Sequence, residues 1–358
     1  MKKKQKLNFW KNKKVFITGH TGFKGSWLCL ILSLFGAEVT GYSLKPKTKP
    51  SLFKLAKIEN VIKKSVISDV RNYKNLFKEI KFSKANIIFH LAAQPLVRYS
   101  YTEPKETFET NFLGTLNILE CIKKIKSIKS SVIITSDKVY DTKINKIYKE
   151  TDFLKGIDPY SASKVICEHL FFSYKNSFFE NTSKQRIATV RAGNVIGGGD
   201  YSKDRLIPDL MSHEQRKKKI ILRNPNSTRP WQHVLEPLSG YLILAEKLYT
   251  NNQKVCAKEQ NWNFGPNVTN CKTVKYIANF INKKISLKFY TVKLKNNKYK
   301  PETNFLRLSN YKSKKYLSWF PKWNLEKTLT KILEWYALSK NINPREVCKK
   351  QIKEYFEL

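Results

Sequence analysis

Acid is scarce in this 358-residue chain: 28 aspartates and glutamates face 68 lysines and arginines, for a formal net charge of +40. No apolar run approaches the roughly 18 residues of a membrane span, and the basic start from Met1 to Lys14 has no apolar export segment. None of the six cysteines (Cys29, Cys121, Cys167, Cys256, Cys271, Cys348) stands in C-x-x-C spacing. That pattern excludes a disulfide framework and a zinc site, so the thiols are expected to be reduced packing residues, the protein cytoplasmic and the site free of metal. Arginine is also scarce, 10 residues against 58 lysines. Specific nucleic-acid recognition favours the planar fork of arginine, and these lysines are spread over the whole length, so no specific nucleic-acid partner is expected. A solvated lysine surface is the simpler reading. No repeat, linker or low-complexity block interrupts the chain, which is long enough to bury a large core in two lobes.

What is present is concentrated in a few short segments. Val15 to Thr18 is an apolar run that reads as a buried strand, followed by Gly19-His20-Thr21-Gly22-Phe23-Lys24-Gly25 and an apolar helical stretch to Phe35. Gly19 permits a tight turn, Gly22 lets backbone approach a pyrophosphate, and Gly25 allows close helix–strand packing, with the helix N-terminus facing the anion. Another strand follows at Glu38 to Thr40, which places this loop in a dinucleotide-binding unit; His20 inside it is read as a packing residue. Val61 to Ser68 is expected to be a third strand ending at Asp69, placed either to accept a hydrogen bond from an adenine amino group or to cap the helix from Asn72. Ala85 to Phe89 is the next strand and opens into His90-Leu91-Ala92-Ala93-Gln94, where small residues would let a cofactor lie against the strand end. A helix from about Pro104 to Ile122 carries Asn111 and Gly114. Strands over Ser131–Thr135 and Arg186–Val190 complete the alternation, which implies an α/β fold: a doubly wound parallel sheet with ligands at the strand carboxyl ends and a smaller C-terminal substrate-binding domain.

The chemistry-bearing pair is Tyr160 and Lys164. Asp158 suits a helix cap and Pro159 the first helical position, so the phenol and the ammonium should sit one turn apart on one face. A nearby cation favours the phenolate, so the Tyr160 pKa is expected to fall and the side chain to take a proton from a substrate hydroxyl. Ser136, ending an apolar run, is placed to hydrogen-bond that hydroxyl.

These segments resemble the extended short-chain dehydrogenase/reductases and, within them, the CDP-glucose 4,6-dehydratases. The likeness runs from Phe9-Trp10 to Trp323 and rests on Thr18 to Leu28, His90 to Arg98, Thr135-Ser136-Asp137-Lys138, Arg191 to Asp200, Asp204 to Asp209 and Arg229 to Leu238. The resemblance implies tightly held NAD, regenerated each turnover, with Gly19, Thr21, Gly22, Phe23, Lys24, Gly25, Asp69, Leu91, Ala92, Ala93, Gln94, Asn111, Tyr160 and Lys164 around it. The loop after the second strand, Gly41 to Leu44, lacks the usual acidic ribose ligand, and Lys45 and Lys47 could meet a 2′-phosphate, yet the resemblance favours NAD. It further implies a nucleotide-sugar substrate, CDP-glucose. Tyr160, Lys164 and Ser136 would oxidise C4, Asp137 would protonate the departing C6 hydroxyl, and Lys138 would take the C5 proton. Arg98, Arg191, Asn194, Arg205, Leu206, Arg229, Trp231 and His233 would bind the substrate, with Arg223 beside them and His233 more often structural in such a place. Ser309 stands where this family commonly has aspartate. The expected division is 1–192 with 233–266 for the cofactor, and 193–232 with 267–358 for the nucleotide-sugar. An epimerase or decarboxylase of the same superfamily is the alternative, against which Asp137-Lys138 argues because epimerisation needs no C6 elimination. Apolar residues on the helices near 104–122 and 160–174 (Phe108, Phe112, Leu116, Phe172) suggest a homodimer.

Overall fold

A computed structural model of the chain describes residues 8–141, 144–179, 184–216, 220–222, 224–258, 260–285, 289–291 and 305–358. Arg223 lies outside the described residues. The central sheet is built from β1 (Lys14–Thr18), β2 (Glu38–Ser43), β3 (Lys64–Ile67), β4 (Ile87–His90), β5 (Ser130–Ile134), β6 (Arg186–Ala192) and, from late in the chain, Asn261–Phe264. Its order is the late strand, then β6, β5, β4, β1, β2 and β3, all in parallel register. The order reverses between β1 and β4, and that crevice is where a doubly wound sheet takes its ligand.

Helices cover both faces. α1 (Phe23–Leu34) follows β1, α2 (Tyr73–Ser83) follows β3, α3 (Val97–Thr102) follows β4, and α4 (Gly114–Lys124) and α5 (Pro159–Tyr174) flank β5. The central strands are buried on both faces, which is why they read as continuous apolar runs rather than alternating ones. Each fully enclosed Trp27, Phe16 or Phe89 contributes about 1.5–3 kcal/mol of burial. The expected third strand is shorter at its N-terminal end, because a short turn at Ile58–Asn60 precedes it and pairing with β2 begins only at Lys64. The expected helix over 104–122 is interrupted: a wide π-type turn at Glu109–Leu113 separates Pro104–Phe108 from α4 and turns Asn111 inward.

Beyond β6 the chain forms β7 (Asn194–Ile196), α6 (Leu206–Arg216), β8 (Thr228–His233) and α7 (Leu235–Tyr249); the late sheet strand is β9 (Asn261–Phe264), followed by β10 (Cys271–Thr273). β8 sits between β7, parallel, and β10, antiparallel, in a second sheet. α8 (Leu325–Leu338) and α9 (Pro344–Phe356) close the chain, and Phe356 meets Phe35 edge-on at 5.1 Å, so the last helix packs on the back of α1. Glu236 joins these parts: its buried carboxylate accepts from the backbone of Lys322 and Trp323 and from Tyr355 Oη. Among the described residues no helix is long and apolar enough to cross a membrane.

Candidate active site

The glycine loop is shaped by contacts that a side chain would block. Gly19 has φ +76°, and a Cβ there would lie 2.7 Å from the backbone nitrogen of Ala92. A Cβ on Gly25 would lie 2.1 Å from Gly19 O, so the start of α1 can close on the loop only with glycine at both places. Gly22 caps α1 in extended conformation and supplies no side-chain bond to the first-turn N–H groups. Those donors and the helix dipole suit a diphosphate, and the loop therefore fits a dinucleotide. Thr21 Oγ1 bonds Ser43 Oγ at 2.9 Å and Leu44 O at 2.8 Å, tying the loop to the end of β2. Leu91, Ala92 and Ala93 line the end of β4, half-buried, with Ala92 N donating to Thr18 Oγ1.

Gln94 and Asn111 are committed to the wall of the crevice. Gln94 N donates to Asn111 Oδ1, Asn111 Nδ2 donates to Gln94 O and Ser163 Oγ, and the Gln94 amide folds back on Leu96 and Thr107. These bonds fix both residues beside the end of β4. Asp69 accepts from the Arg71 backbone N–H at 2.8 Å and guanidinium at 2.7 Å and stays partly exposed at the end of β3, while Asn72, not Asp69, caps α2.

At the end of β5 the catalytic candidates converge. Asp158 Oδ1 accepts from Ser161 N at 3.0 Å and Pro159 starts α5, as the sequence required. Tyr160 N is held by Ser100 Oγ at 3.1 Å, and Ser136 acts on the Tyr160 phenol so as to favour its ionised form. Ser136 Oγ also donates to Asp137 Oδ1 at 3.3 Å and accepts from Lys138 N at 3.2 Å. Lys164 Nζ donates to Ile134 O at 3.1 Å. The expected fall in the Tyr160 pKa is not found: burial pushes it up to about 12, against the opposing influence of Ser136 and Arg205. Burial likewise lowers Lys164 and raises Asp137, the latter against the charges of Lys138, Lys24 and Arg229. The second oxygen of Asp137 is buried with no hydrogen-bond partner.

Lys24 lies in the cofactor loop by sequence, yet its ammonium shares the field of Asp137, Asp200, Lys164 and Arg205, and burial lowers it to about 8. The neighbouring Phe23 packs beside Gly197, and Trp27 Nε1 donates to Gly198 O, so the first turns of α1 rest against the turn after β7. Sequence reasoning missed Tyr241. Its buried hydroxyl on α7 has no hydrogen-bond partner among the described residues and lies within the electrostatic reach of Asp137 and Tyr160, and nothing in the local sequence marks it.

The expected substrate residues divide. Arg205 pairs with Asp200 at 3.4 Å and Arg98 with Asp204 at 3.2 Å; Asn194 and Leu206 are half-buried at the starts of β7 and α6, and Arg229 on β8 acts on Asp137. Arg191, Trp231 and His233 are corrected. Arg191 is 1% exposed, bidentate to Glu168 at 2.9 and 2.8 Å, and donates to Tyr140 Oη, which leaves no face for a diphosphate. Trp231 is enclosed with its indole N–H on Lys272 O, and His233 is wedged between Trp27 and Trp323.

A glycine cradle at the first β–α turn and a Tyr-x-x-x-Lys pair beside Ser136 on a parallel sheet define the class: an extended short-chain dehydrogenase/reductase. The chain belongs to the family described as GDP-mannose 4,6 dehydratase, whose model matches residues 16–332. It is 44% identical over 356 residues, 97% of each chain, to a CDP-glucose 4,6-dehydratase of Salmonella typhimurium. It is 28% identical over 265 residues, 65% of this chain and 56% of the other, to a dTDP-D-glucose 4,6-dehydratase of Dictyostelium discoideum. Among solved structures, a dTDP-glucose 4,6-dehydratase of Bacillus anthracis in complex with NAD superposes with a TM-score of 0.75 at 22% identity, covering 94% of this chain and 99% of that one. An epimerase of Methanothermobacter thermautotrophicus gives 0.78 at 20% identity, covering 97% of both.

Proposed function

We propose that this protein is an NAD-dependent CDP-glucose 4,6-dehydratase, which forms CDP-4-keto-6-deoxyglucose. The observation that carries the reading is the clustering of buried Tyr160, Ser136 and Asp137 with half-buried Lys138 at the end of β5, where an oxidising group and an acid–base pair can act on neighbouring carbons of one sugar. The full-length likeness to the Salmonella enzyme supports it.

Bound NAD supplies the acceptor and later the donor of hydride, and its oxidised ring brings a positive charge. The Gly19–Gly25 loop, the start of α1 and Leu91 to Ala93 would hold it. Tyr160, positioned by Ser100, takes the C4 hydroxyl proton as hydride leaves C4. The new ketone acidifies C5–H, which Lys138 removes while protonated Asp137 gives its proton to the departing C6 hydroxyl. Burial favours the protonated form of Asp137, in keeping with that task. Arg98, Arg205 and Arg229, with Asn194 and Leu206, would take the nucleotide diphosphate. Choice of NAD over its 2′-phosphate is favoured because nearby cations are engaged: Lys47 by Glu106, and Arg71 by Asp69 and Glu109.

A homodimer fits the apolar residues carried by α4 and α5 and the turns beside them, where Leu113, Ile166, Phe172 and Phe178 are exposed and Phe108, Phe112 and Leu116 half-buried. A dimer mass in solution is expected. The six free cysteines suit the cytoplasm, and the division at 192, 233 and 266 into cofactor and substrate lobes is retained. The deciding experiment offers nucleotide-activated glucoses and follows product mass. Loss of one water, fastest with the CDP sugar, is expected. An isomer of unchanged mass would replace this reading with an epimerase.

A further inference from the structure

Behind the site, one buried ion pair ties together the sheet, α5 and the segment after β5. Arg191 on β6 stands one position beyond Val190, the register partner of Ile134 at the end of β5, and Asn263 on β9 pairs with Arg191 on its other side. Glu168 follows Tyr160 and Lys164 at four-residue spacing, so α5 turns all three to one face. The Arg191 guanidinium is bidentate to Glu168 at 2.9 and 2.8 Å, and its third nitrogen donates to Tyr140 Oη at 2.8 Å and to Glu150 O at 3.2 Å. Tyr140 Oη donates in turn to Asn263 Oδ1 at 2.8 Å, and the guanidinium lies 5.0 Å from the centre of the Tyr140 ring. From the other end of the segment, Thr135 Oγ1 donates to Glu168 Oε1 at 2.5 Å.

Thr135 and Tyr140 bracket the residues that carry the dehydration chemistry. Between them lie Ser136 and the short turn Asp137–Val139. We infer that the Arg191–Glu168 pair is a positioning device for the elimination of water: by holding the segment at Thr135 and at Tyr140 it sets Asp137 and Lys138 against α5, the helix that presents Tyr160. The bonds of Ser136 Oγ to Asp137 Oδ1 and to Lys138 N are internal to the segment, and Val139 O accepts from the backbone of exposed Lys155 in the loop ahead of α5. Neither reaches the sheet. The side-chain tie through Tyr140 does.

The oxidation machinery has its own anchors. Asp158 caps α5, Ser100 Oγ holds Tyr160 N, and Lys164 Nζ donates to Ile134 O. Loosening the Tyr140 end therefore moves the acid and the base and leaves the phenol in place, and a misplacement of about 1 Å is enough to cost ~10²-fold in rate. Arginine is required by the geometry. A lysine ammonium can neutralise Glu168, but it lacks the planar fork that meets two carboxylate oxygens and the phenol at once.

The inference rests on the dehydratase reading, and its test keeps the two apart. Enzyme loaded with NAD is mixed with CDP-glucose, reduced nicotinamide is followed by stopped-flow absorbance, and product is followed by mass. Wild-type enzyme that forms no product lighter by one water removes the reading, and the inference with it. Tyr140→Phe keeps the ring and removes the hydroxyl between Arg191 and Asn263. Reduced nicotinamide is expected to form at the wild-type rate and then to persist, because water loss slows ~10–10²-fold. Arg191→Lys, which keeps a cation for Glu168 and gives up the fork, should show the same split between the two phases. A role in folding alone reduces the fraction of active enzyme and lowers both phases together. Should Arg191→Lys not fold, Tyr140→Phe decides. Proportional loss of both phases, or unchanged turnover, in either variant that folds overturns the inference while the dehydratase reading stands.

Discussion

Asp137 and Glu168 are equally buried, each 4% exposed, and both lie beside the carboxyl end of β5, yet the protein treats them in opposite ways. Every face of the Glu168 carboxylate is used: Arg191 holds both oxygens, and the hydroxyls of Thr135 and Thr189 add a bond to each. Those partners overcome burial and hold its pKa below the usual carboxylate range. Asp137 has one long bond from Ser136, an oxygen without a partner, and a pKa raised by burial. A satisfied buried charge is architecture, since breaking it leaves an uncompensated ion; an unsatisfied one is held at a cost and is available for chemistry. The same contrast separates the arginines. Arg191 is consumed by the fold, 1% exposed, whereas Arg205 and Arg98 are 33% and 34% exposed and pair with buried Asp200 and exposed Asp204 respectively.

The strongest way to break this comparison is at Tyr160. Tyr160→Phe removes the phenolic base, and stopped-flow absorbance should show neither reduced nicotinamide nor product after substrate is added. Lys138→Met and Asp137→Asn should differ from it in kind. Hydride still leaves C4 in these variants, so reduced nicotinamide accumulates while water loss slows ~10²–10⁴-fold. Solvent deuterium entering C5 in Asp137→Asn and not in Lys138→Met would sharpen the assignment of Lys138 as base. Normal turnover by Lys138→Met would end it.

Stability tests the other half of the comparison. Arg191→Met strands Glu168 as a buried, uncompensated carboxylate and should cost about 3–5 kcal/mol in denaturant unfolding, part of which Glu168→Gln should restore in the double variant. The pH dependence has a definite sign. Glu168 has a lowered folded pKa, so its contribution is present above the ordinary glutamate pKa and lost as pH falls through the folded value; Glu168→Gln should lack that acid-side loss. The smallest effect is expected at Asp137. Its folded pKa is raised, so ionising it at neutral pH opposes folding, and Asp137→Asn should raise stability by ~1 kcal/mol while it destroys dehydration. A loss of stability in that variant would place Asp137 with Glu168 as architecture.

Much of this was legible in the chain, where local rules decide the outcome. Apolar strand runs, glycine in a turn of positive φ at Gly19, an Asp158-Pro159 helix start and the one-turn spacing of Tyr160 and Lys164 depend on neighbours a few residues away, and all are found in place. Ser136 was readable as the end of an apolar run, whereas the roles of Asp137 and Lys138 came from the resemblance. Direction and satisfaction of side chains were not legible. Arg191 and Arg205 are both arginines in segments of the same likeness, but one meets Glu168 from the neighbouring helix α5 and the other meets Asp200 at the edge of the crevice. Asp69 was open as the cap of α2 until packing gave that place to Asn72. Tyr160 stands one turn from Lys164 as its spacing requires, yet its pKa rises, because it is buried by elements far away in sequence. Periodicity and turn chemistry are short-range and written in order along the chain. Which charges are left without partners is a property of three-dimensional packing, and only the tertiary structure decided it.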